Sequence, residues 1–354
     1  MISRLKPSKP ILRSANWISS KALAQIGFEW DQHYVDEHPE SGLGVWRLKT
    51  SKSRSRKKAR GPVASSTRPG RKTERLVFVP GFGDSSLTWF PVFSLLSPLL
   101  SRKFDEIILV DYPGWHGFLH DEACFSSLEK LFKASAKTLD RLEPTVLMGH
   151  SLGGWVCAAY AVKKSKQARP SGVSRNYMGP EKLILAAPAG LYRSNQEIHQ
   201  WKENFRDAIE GGFEQMRSRM FAKEPFLFRF ISQEFKGFFT RPDVLQLLRS
   251  FDAKKLMLKG QAHSIAVPTW ILWGDADQVN PFRWHRVWLD EMGQKLRVVQ
   301  IPKTGHSLQV ESPAVVAAVL AQILFDKVPH RFGSLFWKVK GGNHAQGASV
   351  LTNS

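Results

Sequence analysis

A serine flanked by glycines is the residue in this chain whose setting most clearly indicates chemistry. Residues 149–153 read GHSLG, with Ser151 in the centre, an apolar run (TVLM) just before and an apolar, helix-like segment just after. At such a strand-to-helix turn the serine hydroxyl is exposed, and glycines are needed because larger residues two positions away would clash with the neighbouring strand and helix. This pattern predicts that Ser151 is a nucleophile for acyl transfer.

A serine hydroxyl is a weak nucleophile unless a base accepts its proton. Among the 11 histidines, His306 is the best placed, because it follows the last apolar run in the segment KTGHS. Its late position also agrees with the chain order serine, acid, histidine. His150 adjoins the nucleophile, but its side chain should point away from that of the serine. The remaining candidates are expected to be ordinary surface or pocket residues: His116, His120 and His263.

The acid must hold the histidine in the correct tautomer and stabilise its charged form. The segment WGDADQVNP, at the end of another apolar run, offers Asp275 and Asp277. Asp277 is preferred because it lies slightly beyond the strand end, where a loop can turn back toward His306. Asp275 remains the alternative, and the carboxylate that is not used would be a solvated loop residue or a cap.

Negative charge that develops on a carbonyl oxygen is stabilised by backbone N–H donors. One donor should be the N–H of Leu152, directly after the nucleophile. The second should come from the glycine turn PGFGDSS (80–86), where Phe82 is the candidate. Phe82 and Trp155 are also expected to contact the substrate.

Short apolar runs that alternate with helices must position these residues. The runs lie at 75–80, 106–114, 145–151, 182–190, 267–275 and 295–302, and helices are predicted at 128–142, after Ser151 and from Ser312-Pro313. Residues 33–50 resemble two further short strands around a turn. This alternation predicts a parallel sheet covered on both faces, with its site beyond the carboxyl ends of the strands.

The predicted organisation has four parts. An arm (1–32) precedes an α/β core (33–190 and 263–328), a helical cap (191–262) interrupts the core, and a tail (329–354) follows it. The cap is rich in Phe and Met: Phe213, Met216, Met220, Phe221, Phe226, Phe228, Phe230, Phe235, Phe238 and Phe239. These residues indicate either an apolar acyl or aryl group bound under the cap, or simple packing of the cap on the core.

The composition favours a globular protein, since 42% of the 354 residues are hydrophobic. Cys124 and Cys157 show no metal or redox spacing, so a reducing, cytoplasmic location is expected. No apolar run is long enough for a transmembrane helix. The basic, serine-rich N-terminus is expected to pack on the domain, with a transit peptide as the alternative.

Much of the net charge of +20 comes from one segment. Between Arg47 and Arg75 there are 12 Lys or Arg residues and one acid. The basic loop 51–74 has almost nothing to bury, so we expect a solvated loop, with weak contact to an anionic membrane surface as an alternative. It lacks interleaved aromatics, so specific nucleic-acid binding is not expected.

Together these segments resemble the α/β-hydrolase superfamily, specifically its capped esterase, lipase and C–C hydrolase branch, over roughly residues 75–326 and the preceding strand pair. The resemblance implies a mostly parallel eight-stranded sheet flanked by helices, with a helical cap. The family's serine turn matches 149–153. Its acid loop, with aspartate four residues before proline, matches Asp277 and Pro281 and favours Asp277 over Asp275.

Two further features of this sequence match the family, and two others depart from it. The histidine loop of the family matches Gly305, His306 and the following Glu311 and Pro313, and its aspartate-x-proline-glycine turn matches residues 111–114. Pro80 stands where the family usually has a histidine before the oxyanion glycine. The basic loop 51–74 replaces a short link between strands.

The resemblance implies a serine hydrolase that cleaves carboxylic esters of apolar acyl or aryl groups through an acyl-enzyme. Such a reaction needs no metal or organic cofactor, and its partner is a small-molecule ester. A serine nucleophile argues against the epoxide hydrolases and haloalkane dehalogenases of the superfamily, which use aspartate. A thioesterase, C–C bond hydrolase or perhydrolase would use the same three residues. The alternative of a different class is a non-catalytic protein that binds a ligand in the same pocket.

Overall fold

The structure is a computed structural model that describes most of the predicted core and cap. The described residues are 27–33, 43–50, 72–115, 124–168, 179–192, 194–210, 214–226, 236–252, 258–325 and 349–351, with Lys21, Ala24, Gln25 and Phe228. Most of the predicted arm, the basic loop up to residue 71, and the loop histidines His116 and His120 lie outside these residues.

A mostly parallel sheet forms the centre of the molecule. The strands are β1 (Phe28–His33), β2 (Leu43–Lys49), β3 (Arg75–Val79), β4 (Glu106–Asp111), β5 (Val146–His150), β6 (Lys182–Ala186), β7 (Thr269–Gly274), β8 (Leu296–Ile301) and β9 (Ser349–Leu351). Their order is β1-β2-β4-β3-β5-β6-β7-β8-β9. Strands β3 to β8 run parallel, and β1, β2 and β9 are antiparallel to their neighbours. The predicted mostly parallel sheet is confirmed.

The two ends of the sheet differ in detail from the expectation. Strand β1 begins at Phe28, within the predicted arm, because its register places Phe28 opposite Leu48 and both side chains are buried. At the other end, β9 adds a ninth described strand beside β8, from the predicted tail. A three-residue edge strand with no strong pattern gives little signal in a sequence.

Helices flank the sheet and form the cap. They are α1 (Phe90–Lys103), α2 (Leu128–Leu142), α3 (Leu152–Gln167), α4 (Asn195–Glu210), α5 (Glu214–Met220), α6 (Pro242–Arg249), α7 (His285–Met292), α8 (Leu308–Glu311) and α9 (Pro313–Leu324). The Ser127 hydroxyl accepts from the N–H of Lys130 and so caps α2. Helix α9 starts with a proline in its first turn, and Lys182 donates to the carbonyl of Ile323 in its last turn.

The central strands are buried on both faces, as their apolar runs predict. All five residues of β5 are buried, and so are the last four of β3 and of β6. Burying a Val, Leu or Ile side chain contributes about 1.5–3 kcal/mol, so this layer holds the strand ends in fixed positions. Because β3, β5, β7 and β8 are parallel, the loops that follow them lie along the same edge of the sheet.

Helices α4, α5 and α6 lie in the chain between β6 and β7, at the position of the predicted cap. The C-terminus of α5 is tied to the core, because the carbonyl of Met220 accepts from the N–H groups of His306 and Ser307 at 2.8 and 3.2 Å. In the described part of the chain, no helix combines the length and apolar character needed to cross a bilayer.

Candidate active site

Ser151 lies in a tight turn between β5 and α3, with φ 52° and ψ −117°. Its N–H donates to the carbonyl of Ala186 at 2.9 Å. A Cβ on Gly149 would lie 2.3 Å from the Gly153 oxygen, and a Cβ on Gly153 would lie 2.3 Å from the Val79 oxygen. Both distances are far too short, so the turn needs glycine at both positions. A serine at positive φ is strained, at a cost of about 1–3 kcal/mol, and such strain is typical of functional sites.

The structure brings His306 and Asp277 into direct contact. His306 Nδ1 lies 2.8 Å from Asp277 Oδ2, and the two side chains are 6% and 0% exposed. The other carboxylate oxygen, Oδ1, accepts from the N–H groups of Val279 and Asn280, each at 2.9 Å. The carboxylate is therefore held in one orientation. Its contact with Nδ1 places the imidazole proton there and leaves Nε2 able to accept a proton.

Asp275, the alternative acid, has a different position. It is exposed, and its carboxylate accepts from the N–H of Lys303 at 2.7 Å and from the Gln300 side chain at 3.4 Å. Asp275 therefore holds the loop that precedes the histidine, and Asp277 is the carboxylate that contacts the imidazole.

The turn after β3 passes directly beside the serine. A Cβ on Gly81 would lie 3.2 Å from the Ser151 Cβ, and the N–H of Asp84 closes the turn on the Gly81 carbonyl at 3.2 Å. Among the described residues, the N–H groups of Phe82 and Leu152 have no acceptor. The N–H of Leu152 follows Ser151 directly and that of Phe82 follows Gly81, and an oxyanion needs donors of this kind.

Ser151, His306 and Phe82 line one cavity beneath the cap, whose walls are mainly apolar and aromatic. The cap residues Met216, Met220, Phe221, Phe228 and Phe239 also line it. Of the other Phe residues predicted for the cap, Phe238 packs 6.1 Å from the Phe82 ring and Phe226 is 69% exposed. Phe213, Phe230 and Phe235 lie outside the described residues. The cap aromatics thus divide between lining the cavity and packing.

The prediction that Trp155 contacts the substrate is not matched by its position. Trp155 is buried one turn into α3, and its ring lies 5.6 Å from that of Phe132 on α2. It does not belong to the lining of the cavity that holds Ser151. The tight turn aims Ser151 at the cavity, whereas the helix that follows directs Trp155 toward α2. Phe82 does line the cavity, as expected.

His150 has a role that its sequence position did not reveal. It is 3% exposed, its Nε2 lies 3.0 Å from the carbonyl oxygen of His306, and the two rings are 4.9 Å apart. Its Nδ1 lies 3.7 Å from Asp84 Oδ2. His150 therefore supports the backbone of the histidine loop. His263, in contrast, is exposed, as predicted for a surface residue.

Glu311 joins the histidine loop to the cap. One carboxylate oxygen accepts from the N–H of Gly305 at 2.7 Å, and the other accepts from the N–H groups of Ala222 and Lys223, each at 2.9 Å. Burial raises the pKa of Glu311, and the charge of Asp277 adds to that effect. The glutamate noted in the sequence thus holds the segment that carries His306.

We expect Glu311→Gln to lower the free energy of unfolding by about 1–3 kcal/mol, because an amide N–H₂ would face a backbone N–H that loses its acceptor. Glu291→Gln is the matched control, since Glu291 is partly exposed and accepts one backbone N–H, from Gly260 at 2.8 Å. Urea unfolding of both variants measures the difference. Equal losses in the two variants would contradict this role.

Asp111 anchors the C-terminal end of the turn that follows β3. It is 1% exposed, and its Oδ1 accepts from the N–H of Ser86 at 2.7 Å and from the Ser85 hydroxyl at 3.2 Å. Trp46 donates to the other oxygen at 3.3 Å. Burial raises the pKa of Asp111 to about 7, although these hydrogen bonds oppose the change.

A pH-dependent stability should result from Asp111. Its pKa is higher in the folded chain than in the unfolded one, so its contribution to stability is complete below about pH 4 and is lost as the pH rises through 7. Between pH 5 and 8, wild type should therefore lose stability relative to Asp111→Asn, and the loss in unfolding free energy should be roughly 1 kcal/mol per pH unit. Urea unfolding across this range measures it, and a constant difference would exclude the effect.

Comparison with known proteins identifies the family to which the chain is similar. The family model described as "Alpha/beta hydrolase family" matches residues 76–319. Human monoacylglycerol lipase ABHD6 is 26% identical over 287 residues, which cover 73% of this chain and 77% of that protein. A 1-acylglycerol-3-phosphate O-acyltransferase of Arabidopsis thaliana is 28% identical over 143 residues, or 38% of this chain, and the match spans only 30% of the plant protein.

Solved structures show the same fold. The esterase EaEST from Exiguobacterium antarcticum superposes with a TM-score of 0.55 at 18% identity, over 80% of this chain and 95% of that one. The family match covers more than half of the chain and includes Ser151, Asp277 and His306. The chain therefore belongs to the alpha/beta hydrolase family.

Proposed function

We propose that this alpha/beta hydrolase cleaves carboxylic esters of apolar acyl or aryl groups through an acyl-enzyme. Ser151 is the nucleophile, His306 the base and Asp277 the acid that orients it. The observation that carries the proposal is the 2.8 Å contact between His306 and Asp277 at the cavity that Ser151 lines. A serine in a strained turn, a buried and oriented imidazole, and a mainly apolar cavity that adjoins both support this chemistry.

In the first half of the reaction, Ser151 Oγ bonds to the ester carbonyl carbon and its proton moves to Nε2 of His306. The carbonyl oxygen becomes an oxyanion, which the N–H groups of Phe82 and Leu152 stabilise. When this intermediate collapses, the bond to the leaving alcohol breaks and the alcohol takes the proton from His306. Water then attacks the acyl-enzyme with His306 as base, releases the acid and restores the Ser151 hydroxyl.

The walls of the cavity support an apolar group in the substrate. Phe82, Phe205, Phe239 and Phe251 lie on it with Met216. The ring of Phe82 is 5.6 Å from Phe239 and 5.7 Å from Phe251, so the serine adjoins an aromatic surface. The lipase and esterase names of the relatives support an ester substrate with such a group. The acyltransferase shares the acyl-transfer step, although an acceptor other than water would complete it.

A panel of p-nitrophenyl esters tests the proposal. Acetate, butyrate, octanoate and laurate esters, together with the benzoate, should all be hydrolysed, and kcat/KM should rise with apolar acyl size until the cavity is filled. Matched thioesters separate a thioesterase from an esterase. A folded protein with no turnover of any ester or thioester would favour the non-catalytic ligand-binding alternative.

Labelling by a fluorophosphonate probe tests the nucleophile independently of the substrate. Wild type and Ser307→Ala should be labelled, and Ser151→Ala should not. Ser307 is a suitable control because it is a second serine on the wall of the same cavity. Labelling of the Ser151→Ala protein would overturn the assignment.

A further inference from the structure

A second depression, the cap groove, lies on the cap between α4 and α6. Its floor is apolar and is formed by Trp201, Phe205, Leu245, Leu248 and Phe251. Its rim carries the charged side chains Lys202, Glu203, Arg206, Lys236 and Arg249. The cap groove thus combines a surface for a hydrocarbon chain with a charged edge, and no step of the proposed hydrolysis uses it.

One layer of aromatic side chains separates the cap groove from the catalytic cavity. Trp201, Phe205 and Phe251 line both spaces. The rings of Trp201 and Phe205 stack with centroids 5.5 Å apart, and Trp201 Nε1 donates to the carbonyl of Val279 at 3.0 Å. A ligand on the groove floor would therefore contact the outer face of the wall whose inner face adjoins Phe82.

The rim of the cap groove is strongly basic. Its lining includes four cationic side chains and one anionic one, which gives a net charge of +3. Glu203 is already paired with Arg206 by hydrogen bonds. Within the described part of the chain, Lys236 and Arg249 have no carboxylate in ion-pairing distance, and Arg249 is exposed. Two cations above an apolar floor can therefore meet an anionic group without first breaking an ion pair to any carboxylate that the structure describes.

We propose that the cap groove binds single-chain amphiphiles with an anionic head group, the chain on the apolar floor and the head between Lys236 and Arg249. As a binding site it needs no catalysis. The apolar floor gains about 25 cal/mol per Å² of buried chain, and the rim distinguishes anionic heads from neutral and cationic ones.

Binding to the Ser151→Ala protein tests the site without turnover. Dodecyl phosphate, kept below its micelle concentration, is titrated with tryptophan fluorescence or calorimetry as the readout. We expect it to bind at least tenfold more tightly than dodecyl maltoside or dodecyltrimethylammonium. Inorganic phosphate should bind far more weakly than dodecyl phosphate, because it cannot use the floor.

Paired substitutions test whether the ligand binds at the rim of the cap groove. Lys236→Gln/Arg249→Gln should weaken the binding of dodecyl phosphate about tenfold, which is roughly the effect of two exposed charges. Lys163→Gln/Lys166→Gln is the matched control, because it removes the same charge from α3, at a separate surface groove. Lys236→Arg/Arg249→Lys should retain the affinity, which would show that any loss in the Gln pair comes from charge.

Several results would overturn the proposal. Equal binding of dodecyl maltoside would exclude a role for the basic rim. Equal losses in the two Gln pairs would show that the +20 net charge attracts the ligand without a specific site. Binding only to phosphatidylglycerol vesicles, and not to monomeric dodecyl phosphate, would indicate a membrane-docking surface instead. Failure of wild type to hydrolyse p-nitrophenyl esters would defeat the proposed function but would leave this binding result standing.

Discussion

Ser151→Ala should lower kcat for p-nitrophenyl butyrate by about 10⁴-fold or more, to a residual activity that depends on binding and the oxyanion donors. The reason is that alanine has no hydroxyl oxygen to bond to the ester carbonyl carbon, so the acyl-enzyme cannot form at position 151. KM should change little, since the aromatic walls remain. Steady-state kinetics on protein purified free of host esterases measures the loss. A variant that retains more than a few per cent of the wild-type kcat would exclude Ser151 as the nucleophile.

The backbone of the serine turn allows a companion test. Because φ at position 151 is 52°, glycine should fit the turn with less strain than alanine. We therefore expect Ser151→Gly to be more stable than Ser151→Ala by about 1 kcal/mol, although both are inactive. Urea unfolding of the pair measures this difference. If the glycine variant were the less stable one, the strain assigned to the turn would be wrong.

Asp277→Asn should lower kcat by about 10⁴-fold while leaving the fold intact. The N–H groups of Val279 and Asn280 both donate to Oδ1, so they will hold the carbonyl oxygen of an asparagine at that position. Its N–H₂ group then faces Nδ1 of His306, which must act as acceptor and carry its proton on Nε2. In that tautomer the imidazole cannot take the serine proton.

Asp275→Asn is the matched control for this tautomer effect. It makes the same chemical change two residues away, on an exposed carboxylate that binds the backbone of Lys303. We expect its kcat to stay within a few-fold of wild type. Full pH–rate profiles of both variants, from pH 5 to 10, distinguish a shift of the pH optimum from a loss of the base at every pH. A larger loss in Asp275→Asn than in Asp277→Asn would reverse the assignment of the acid.

The local pattern of apolar residues in the sequence was sufficient to predict the central strands of the sheet. The apolar runs around β3 to β8 are short, largely buried and separated by helices, and such runs have few other structures available to them. The glycines beside Ser151 were also informative. A Cβ at either position would lie 2.3 Å from a backbone oxygen, which excludes every residue that has a side chain. The ends of the sheet were less predictable. Strand β1 begins inside the segment expected to be an arm, and β9 is a three-residue strand whose partner β8 lies much earlier in the chain.

Within the site, the sequence alone identified Ser151 and His306 as candidates, because each follows a buried strand whose end must lie at one edge of a parallel sheet. For the acid, the sequence favoured Asp277, which lies beyond the strand end and four residues before Pro281, but it left Asp275 as the alternative. In the tertiary structure Asp277 contacts the His306 imidazole, is buried and accepts from two backbone N–H groups, whereas Asp275 is exposed.

The tertiary structure alone decided the positions that depend on contacts between distant segments. Trp155 faces α2 because the turn and the helix after it point in different directions. His150, Asp111 and Glu311 hold loops whose partners lie 25 or more residues away, except for the Glu311 contact with Gly305. The cap groove likewise exists only because α4 and α6 come together. Sequence patterns record which residues are buried along one element, whereas the packing of several elements determines what each side chain touches.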